Sequence, residues 1–133
     1  KPVTLDLKGH TVTKTYGASN HYFIVVNGGA LTVKDTTGGG ALIASPSNDT
    51  AGTKYGYGIQ LRSNSSLVVE SGLIQTSEVA VDIYTIVSNV RVEINGGTIH
   101  STGDSALTLR GDANVEAKMT AGTLKTTSNS RFM

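Results

Sequence analysis

Ten carboxylates, three histidines and a scatter of serines are the side chains of this 133-residue chain that could do acid–base, metal or nucleophilic work. Cysteine is absent, which removes thiolate nucleophiles, thiolate metal sites and disulfides together. His10, His21 and His100 share no spacing and no carboxylate partner in the pattern. His10 and His100 fall on or just past glycine turns, so a metal triad is not expected. No serine stands in a nucleophile-elbow context. Gly38-Gly39-Gly40 is followed by neither Gly-Lys-Ser/Thr nor the start of a helix, so it reads as a bulged turn and not as a phosphate cradle. The expectation is a chain without catalytic residues, metal or cofactor.

The spacing of these groups is set by an internal repeat. Leu67-Val68-Val69-Glu70-Ser71-Gly72-Leu73-Ile74 recurs as Val92-Glu93-Ile94-Asn95-Gly96-Gly97-Thr98-Ile99 and as Ala117-Lys118-Met119-Thr120-Ala121-Gly122-Thr123-Leu124, 25 residues apart each time. Leu5-Asp6-Leu7-Lys8-Gly9-His10-Thr11-Val12 and Leu31-Thr32-Val33, 26 residues apart, begin two earlier copies. A second element precedes the later copies: Gly58-Ile59-Gln60-Leu61, Ala80-Val81-Asp82-Ile83 and Ala106-Leu107-Thr108-Leu109, with 23–26 as a blurred version. Every segment alternates with period two, and none carries a helical stripe. Each repeat is strand, bend, strand, glycine turn, short strand. Such a unit cannot bury its apolar face alone, but stacked copies can.

The fold class expected is therefore all-β: a right-handed parallel β-helix of about five rungs, with about 25 residues per rung, forming one domain over 1–133. Inward columns run Leu5, Leu31, Leu67, Val92, Ala117 and Leu7, Val33, Val69, Ile94, Met119, with Val12, Leu42, Ile74, Ile99, Leu124 on a further side. Outward columns are Thr4, Ala30, Ser66, Arg91, Glu116, then Asp6, Thr32, Val68, Glu93, Lys118, then Lys8, Lys34, Glu70. They set Arg91 against Glu116, Glu93 against Lys118 and Lys34 against Glu70, all opposite in sign, as rung-to-rung pairing favours. A glycosidase needs two carboxyl groups roughly 5–9.5 Å apart, and no such pair emerges. Asn64, Asn89 and Asn114, again 25 apart, read as a structural ladder at a bend, because asparagine tolerates left-handed backbone.

These phrases, Leu5 to Val12, Leu31-Thr32-Val33-Lys34-Asp35 and Ile94 to Ile99, resemble the right-handed parallel β-helices of the pectate-lyase-like class. More narrowly, they are similar to repeat arrays of bacterial surface proteins and of phage virion and tail proteins. The resemblance implies a scaffold, placed outside the cell, at its surface or in a virion. It specifies function weakly.

Two features exceed what a coil needs. One is the insertion 44–56, whose loop holds Tyr55 with Tyr57 just beyond; loops on rigid scaffolds are where binding concentrates. The other is an outward column, Asn27, Arg62, Tyr84, Arg110, beside Val25, Gln60, Asp82, Thr108. It suits either cation–π packing or a shallow sugar platform. The ligand-binding candidates are Tyr55, Tyr57, Arg62, Tyr84 and Arg110, and the partner expected is a glycan or a host-surface receptor. A net charge of +1 with only 16% charged residues offers no field for nucleic acid. No apolar run approaches the roughly 18 residues of a membrane span. Open end rungs, with Pro2 blunting one edge and Phe132 and Met133 near the other, are expected to meet further rungs or subunits. The function expected is a non-catalytic structural or adhesive module; the alternative is a piece of a polysaccharide lyase or hydrolase.

Overall fold

A computed structural model of the chain describes residues 1–16, 22–46, 56–84 and 86–127. Its strands are β1 (Pro2–Asp6), β2 (Thr11–Tyr16), β3 (Tyr22–Val26), β4 (Ala30–Lys34), β5 (Ala41–Pro46) and β6 (Tyr57–Leu61). They continue as β7 (Ser65–Val69), β8 (Leu73–Thr76), β9 (Val81–Ile83), β10 (Ser88–Ser101), β11 (Leu107–Thr108) and β12 (Ala113–Thr126). Every ladder is parallel, and partners lie one repeat apart: Val69 beside Ile94, and Ile94 beside Met119. A hairpin cannot make that pairing, because parallel neighbours need a long return path. The chain is a parallel β-solenoid of about four turns.

Three faces result. Face one stacks β1, β4, β7 and the first halves of β10 and β12; face two stacks β2, β5, β8 and the second halves of β10 and β12. Face three stacks β3, β6, β9 and β11. The fifth rung is thus present on two faces only among the described residues. Inward side chains of all three faces meet in one core, where Val33, Leu61, Leu67, Val69, Val81, Ile83, Val92 and Ile99 are fully buried. Small residues open face three for a steric reason: a Cβ on Gly58 would sit 2.1 Å from the Ala80 carbonyl oxygen.

The register of the first rung differs from the repeat alignment. Val3, not Leu5, lies beside Leu31, and Leu5 lies beside Val33, an offset of 28 instead of 26. The likeness of Leu5-Asp6-Leu7-Lys8 to Leu31-Thr32-Val33-Lys34 hides a difference in backbone. Lys34 ends a strand, whereas Lys8 is left-handed (φ 48°) and turns the corner together with Gly9 (φ 77°). Leu7 is buried at this shortened corner, where a Cβ on Gly40 would lie 2.6 Å from its own. One outward consequence follows: Asp6, not Lys8, stands beside Lys34.

Asp35 organises the same corner. Its carboxylate accepts the Gly9 amide at 2.7 Å and the Gly40 amide at 2.6 Å. Those backbone donors, with Gly38 and Thr37, hold its pKa below the ordinary carboxylate value. This accounts for the bulged glycine turn, in which Gly38 and Gly39 both take positive φ. Residues 44–46, counted with the insertion on sequence grounds, continue β5 and pair with β2.

Candidate functional site

Face three carries a connected set of bonded polar side chains on the outside of the coil. Its outward column is Val25, Gln60, Asp82, Thr108, in the register the repeat implies. Inward neighbours on both sides of Asp82, Val81 and Ile83, are fully buried, which fixes Asp82 on the opposite side of the strand. Yet Asp82 is only 1% exposed. An isolated carboxylate would not tolerate this, so donors must gather on it.

They do. The Tyr22 hydroxyl donates to Asp82 Oδ2 at 2.6 Å, spanning from β3 past β6 to β9. The Thr108 hydroxyl and the Arg110 Nη2 donate to Oδ1, the latter at 2.6 Å. Arg62 directs its Nε to the Gln60 side-chain oxygen at 3.1 Å. At the opening of the strands the Tyr22 and Tyr57 rings pack with centroids 5.0 Å apart and planes tilted by 41°, a favourable aromatic geometry. At the far end Tyr84 is half exposed, its amide bonded to the Leu61 carbonyl. Arg62, Tyr84 and Arg110 follow the ends of β6, β9 and β11 on three successive rungs.

The electrostatics make this a scaffold of fixed donors. Burial, then the Asp82 hydrogen bond, push the Tyr22 phenol far above its ordinary value, so it stays protonated and donating. The Asp82 hydrogen bond likewise raises Arg110, although Arg110 is partly open to water. Asp82 accepts three side-chain donors and is placed as an anchor for them. What remains at the surface is the half-exposed Tyr84 and the exposed parts of the Arg62 and Arg110 side chains.

Of the sequence-derived ligand candidates, Tyr57, Arg62, Tyr84 and Arg110 all lie on this face, while Tyr55 falls outside the described residues. Arg110 reaches sideways into the Asp82 column, and Arg62 into the Gln60 column. Asn64, Asn89 and Asn114 stand at the corner leading into face one. All three have φ of 55–58°; the Asn89 side-chain amide donates to Asn64 Oδ1 and the Asn114 amide to Asn89 Oδ1, each at 3.0 Å. The three side chains are exposed, so the ladder is a surface feature. His100 bonds Gln75 at 3.2 Å, and desolvation with the nearby Lys125 lowers its pKa; His21 lies outside the described residues. On face one Arg91 bonds Glu93 at 2.7 Å on its own strand and reaches Glu116 at 3.9 Å on the next rung.

Two arrangements escaped the sequence. Tyr22 joins Asp82 across 60 residues, and nothing in the repeat marks a tyrosine at the start of β3 as its partner. The second is a carboxylate pair at the corner between faces two and three. Glu78 and Asp104 stand on adjacent rungs, their backbones joined by Ser101, whose hydroxyl donates to the Glu78 main-chain carbonyl and accepts from the Asp104 main-chain amide. Burial, then the Asp104 charge, raise the Glu78 pKa. The expectation that no two carboxylates come together concerns face one and does not extend to this corner; the 26-residue spacing of Glu78 and Asp104 is the available signal. Among the described residues no three histidine or carboxylate side chains converge as metal ligands would. No family description, no curated protein and no solved structure matches the chain.

Proposed function

We propose that the chain is a non-catalytic structural and adhesive module of a longer extracellular, cell-surface or virion protein, and that it holds glycans on face three. The pectate-lyase-like and surface-array resemblance of its repeats supports the setting. The observation that carries the binding assignment is the Asp82 network, which fixes Arg110 one rung beyond the half-exposed Tyr84. Fixed side chains lose little freedom when a ligand arrives, and a half-exposed aromatic beside hydrogen-bond donors suits the mixed apolar and hydroxylated faces of a sugar. Further rungs or another subunit cover the open ends in this reading, since Val3 and Met119 expose apolar side chains there. A glycan screen with wild type and Tyr84→Ala tests it. Binding that Tyr84→Ala weakens at least tenfold is the expected result; no binding by the wild type overturns the assignment.

The reading as a piece of a carbohydrate-active enzyme has one feature in its favour, the corner of Glu78 and Asp104 on adjacent rungs, where burial and then the Asp104 charge raise the Glu78 pKa. Turnover of a polysaccharide that Glu78→Gln abolishes would establish that reading in place of the first.

A further inference from the structure

The asparagine ladder has a direction, and it leaves its first member with an unused nitrogen. Asn89 donates its Nδ2 to Asn64 Oδ1, and Asn114 donates to Asn89 Oδ1. The Asn64 side chain only accepts: among the described residues its own Nδ2 donates to no protein group. The cause lies one rung earlier. Ala30 stands beside Ser66, so the corner position facing Asn64 is Gly28, left-handed like the asparagines at φ 66° but without a side chain. A Cβ on Gly28 would meet nothing within 4 Å, so the corner is open on that side. Asn64 is itself exposed.

The sequence marks the same residue. Asn64-Ser65-Ser66 is an Asn-x-Ser acceptor triplet whose middle residue is not proline. Its ladder partners Asn89 and Asn114 are followed by Val90-Arg91 and Val115-Glu116 and form no such triplet. Asn48-Asp49-Thr50 is a second triplet and lies outside the described residues. All three residues of the first line one open groove of about 420 Å³, with Gly29 and Ala30 on the rung before. Ser65 anchors the triplet: it is buried, donates to the Val26 carbonyl at 3.0 Å and accepts the Gly28 amide at 3.1 Å. Ser66 is half-buried, and among the described residues its hydroxyl has no protein partner. Resting on the extracellular setting proposed above, we infer that Asn64 is a site of N-linked glycosylation, accepting an oligosaccharide from a lipid-pyrophosphate donor. In that transfer a bond forms from Nδ2 to the anomeric carbon, the bond from that carbon to the pyrophosphate oxygen breaks, and the proton leaving Nδ2 goes to a base of the transferring enzyme. The glycosylated amide keeps Oδ1 and one N–H, so Asn89 still donates to it. The open corner beside Gly28 leaves room for a bulky, solvated substituent.

The test is secretion of the full chain from cells that glycosylate Asn-x-Ser/Thr triplets, followed by peptide mass spectrometry before and after an amidase that removes N-linked glycans. The expected result is a glycan on Asn64 in most secreted chains, lost in Asn64→Gln and in Ser66→Ala. Ser66→Ala leaves every ladder asparagine in place, so its loss of the glycan does not come from a disturbed corner. The glycosylated chain should melt no lower than the chain produced without glycosylation. A lower melting temperature would overturn the claim that the corner accommodates the glycan. A folded, secreted chain with Asn64 bare, or with a glycan on Asn48 alone, would overturn the assignment and leave the adhesive reading to its own glycan screen. Wild type and Ser66→Ala both retained unfolded in the secretory pathway would overturn the extracellular setting on which the assignment rests.

Discussion

Faces one and three both carry opposite charges on stacked rungs, and they use them differently. On face one the Arg91, Glu93 and Glu116 side chains are 53%, 26% and 66% exposed, and their contacts stay at the surface. On face three the Arg110–Asp82 pair is 2.6 Å long and the Asp82 side chain is 2% exposed. Exposed pairs contribute little, because water screens them and long side chains lose freedom in forming them. A buried carboxylate is costly unless fully bonded, and once bonded it holds its donors in place. The coil needs only the first kind of pair to align its rungs. The second kind fixes a surface, which is why function is assigned to face three.

The sharpest way to break this comparison is to remove the anchor from each face. Asp82→Ala strands the Tyr22 hydroxyl and the Thr108 hydroxyl and frees Arg110, so a loss of about 3 kcal/mol is expected in urea titration. Glu93→Ala should change stability by no more than about 0.5 kcal/mol. Equal losses would remove the distinction between the faces.

The asparagine corner sharpens the contrast at a middle magnitude. Asn89→Ala loses both ladder hydrogen bonds and puts at φ 58° a residue that tolerates left-handed backbone less well than asparagine, so about 1–2 kcal/mol is expected. Asn89→Gly removes the same bonds but accepts the backbone, and should cost about 0.5–1 kcal/mol. If the two variants matched, the left-handed backbone would have no part in the choice of asparagine.

Titration separates the corners. Asp35 and Asp6 have depressed pKa values in the folded chain, Asp35 chiefly through the Gly40 amide, Asp6 through its bonds to Thr36 and Lys8 against an opposing desolvation. Their contribution is fully present above the unfolded value of about 3.9 and is lost as pH falls through the folded values. Stability should therefore drop below about pH 4, and Asp35→Asn should flatten that drop. Glu78 has the opposite sign: its raised pKa makes the ionised form unfavourable when folded, so its contribution is present at low pH and lost as pH rises through the folded value. Glu78→Gln should give a small gain at neutral pH that vanishes in acid. The smallest effect expected is for Arg91→Ala, within about 0.5 kcal/mol and indistinguishable in high salt.

Much of this architecture could be read from residue spacing. The 25-residue offsets set the ladders of β7, β10 and β12, and the triplets around Ile59, Val81 and Leu107 set face three, because period-two alternation and stacking leave one register that buries every apolar column. Where the offset departs from 25, the alignment had only similarity of side chains, and at Leu5-Asp6-Leu7-Lys8 that similarity concealed a left-handed turn. The site was legible in part. Gln60, Asp82, Thr108, Arg62, Tyr84 and Arg110 follow from register alone, but the burial of Asp82 does not. It depends on Tyr22 reaching across two rungs and on Arg110 folding sideways, both choices of side-chain direction that no repeat records.

Residue-resolved NMR titration with a neutral oligosaccharide tests the functional assignment of face three most directly. Backbone and side-chain shifts should concentrate at Arg62, Tyr84 and Arg110, with little movement at Arg91, Glu93, Glu116 and the asparagine corner. Shifts gathered on face one or along Asn64, Asn89 and Asn114, with Tyr84 unmoved at saturation, would contradict it.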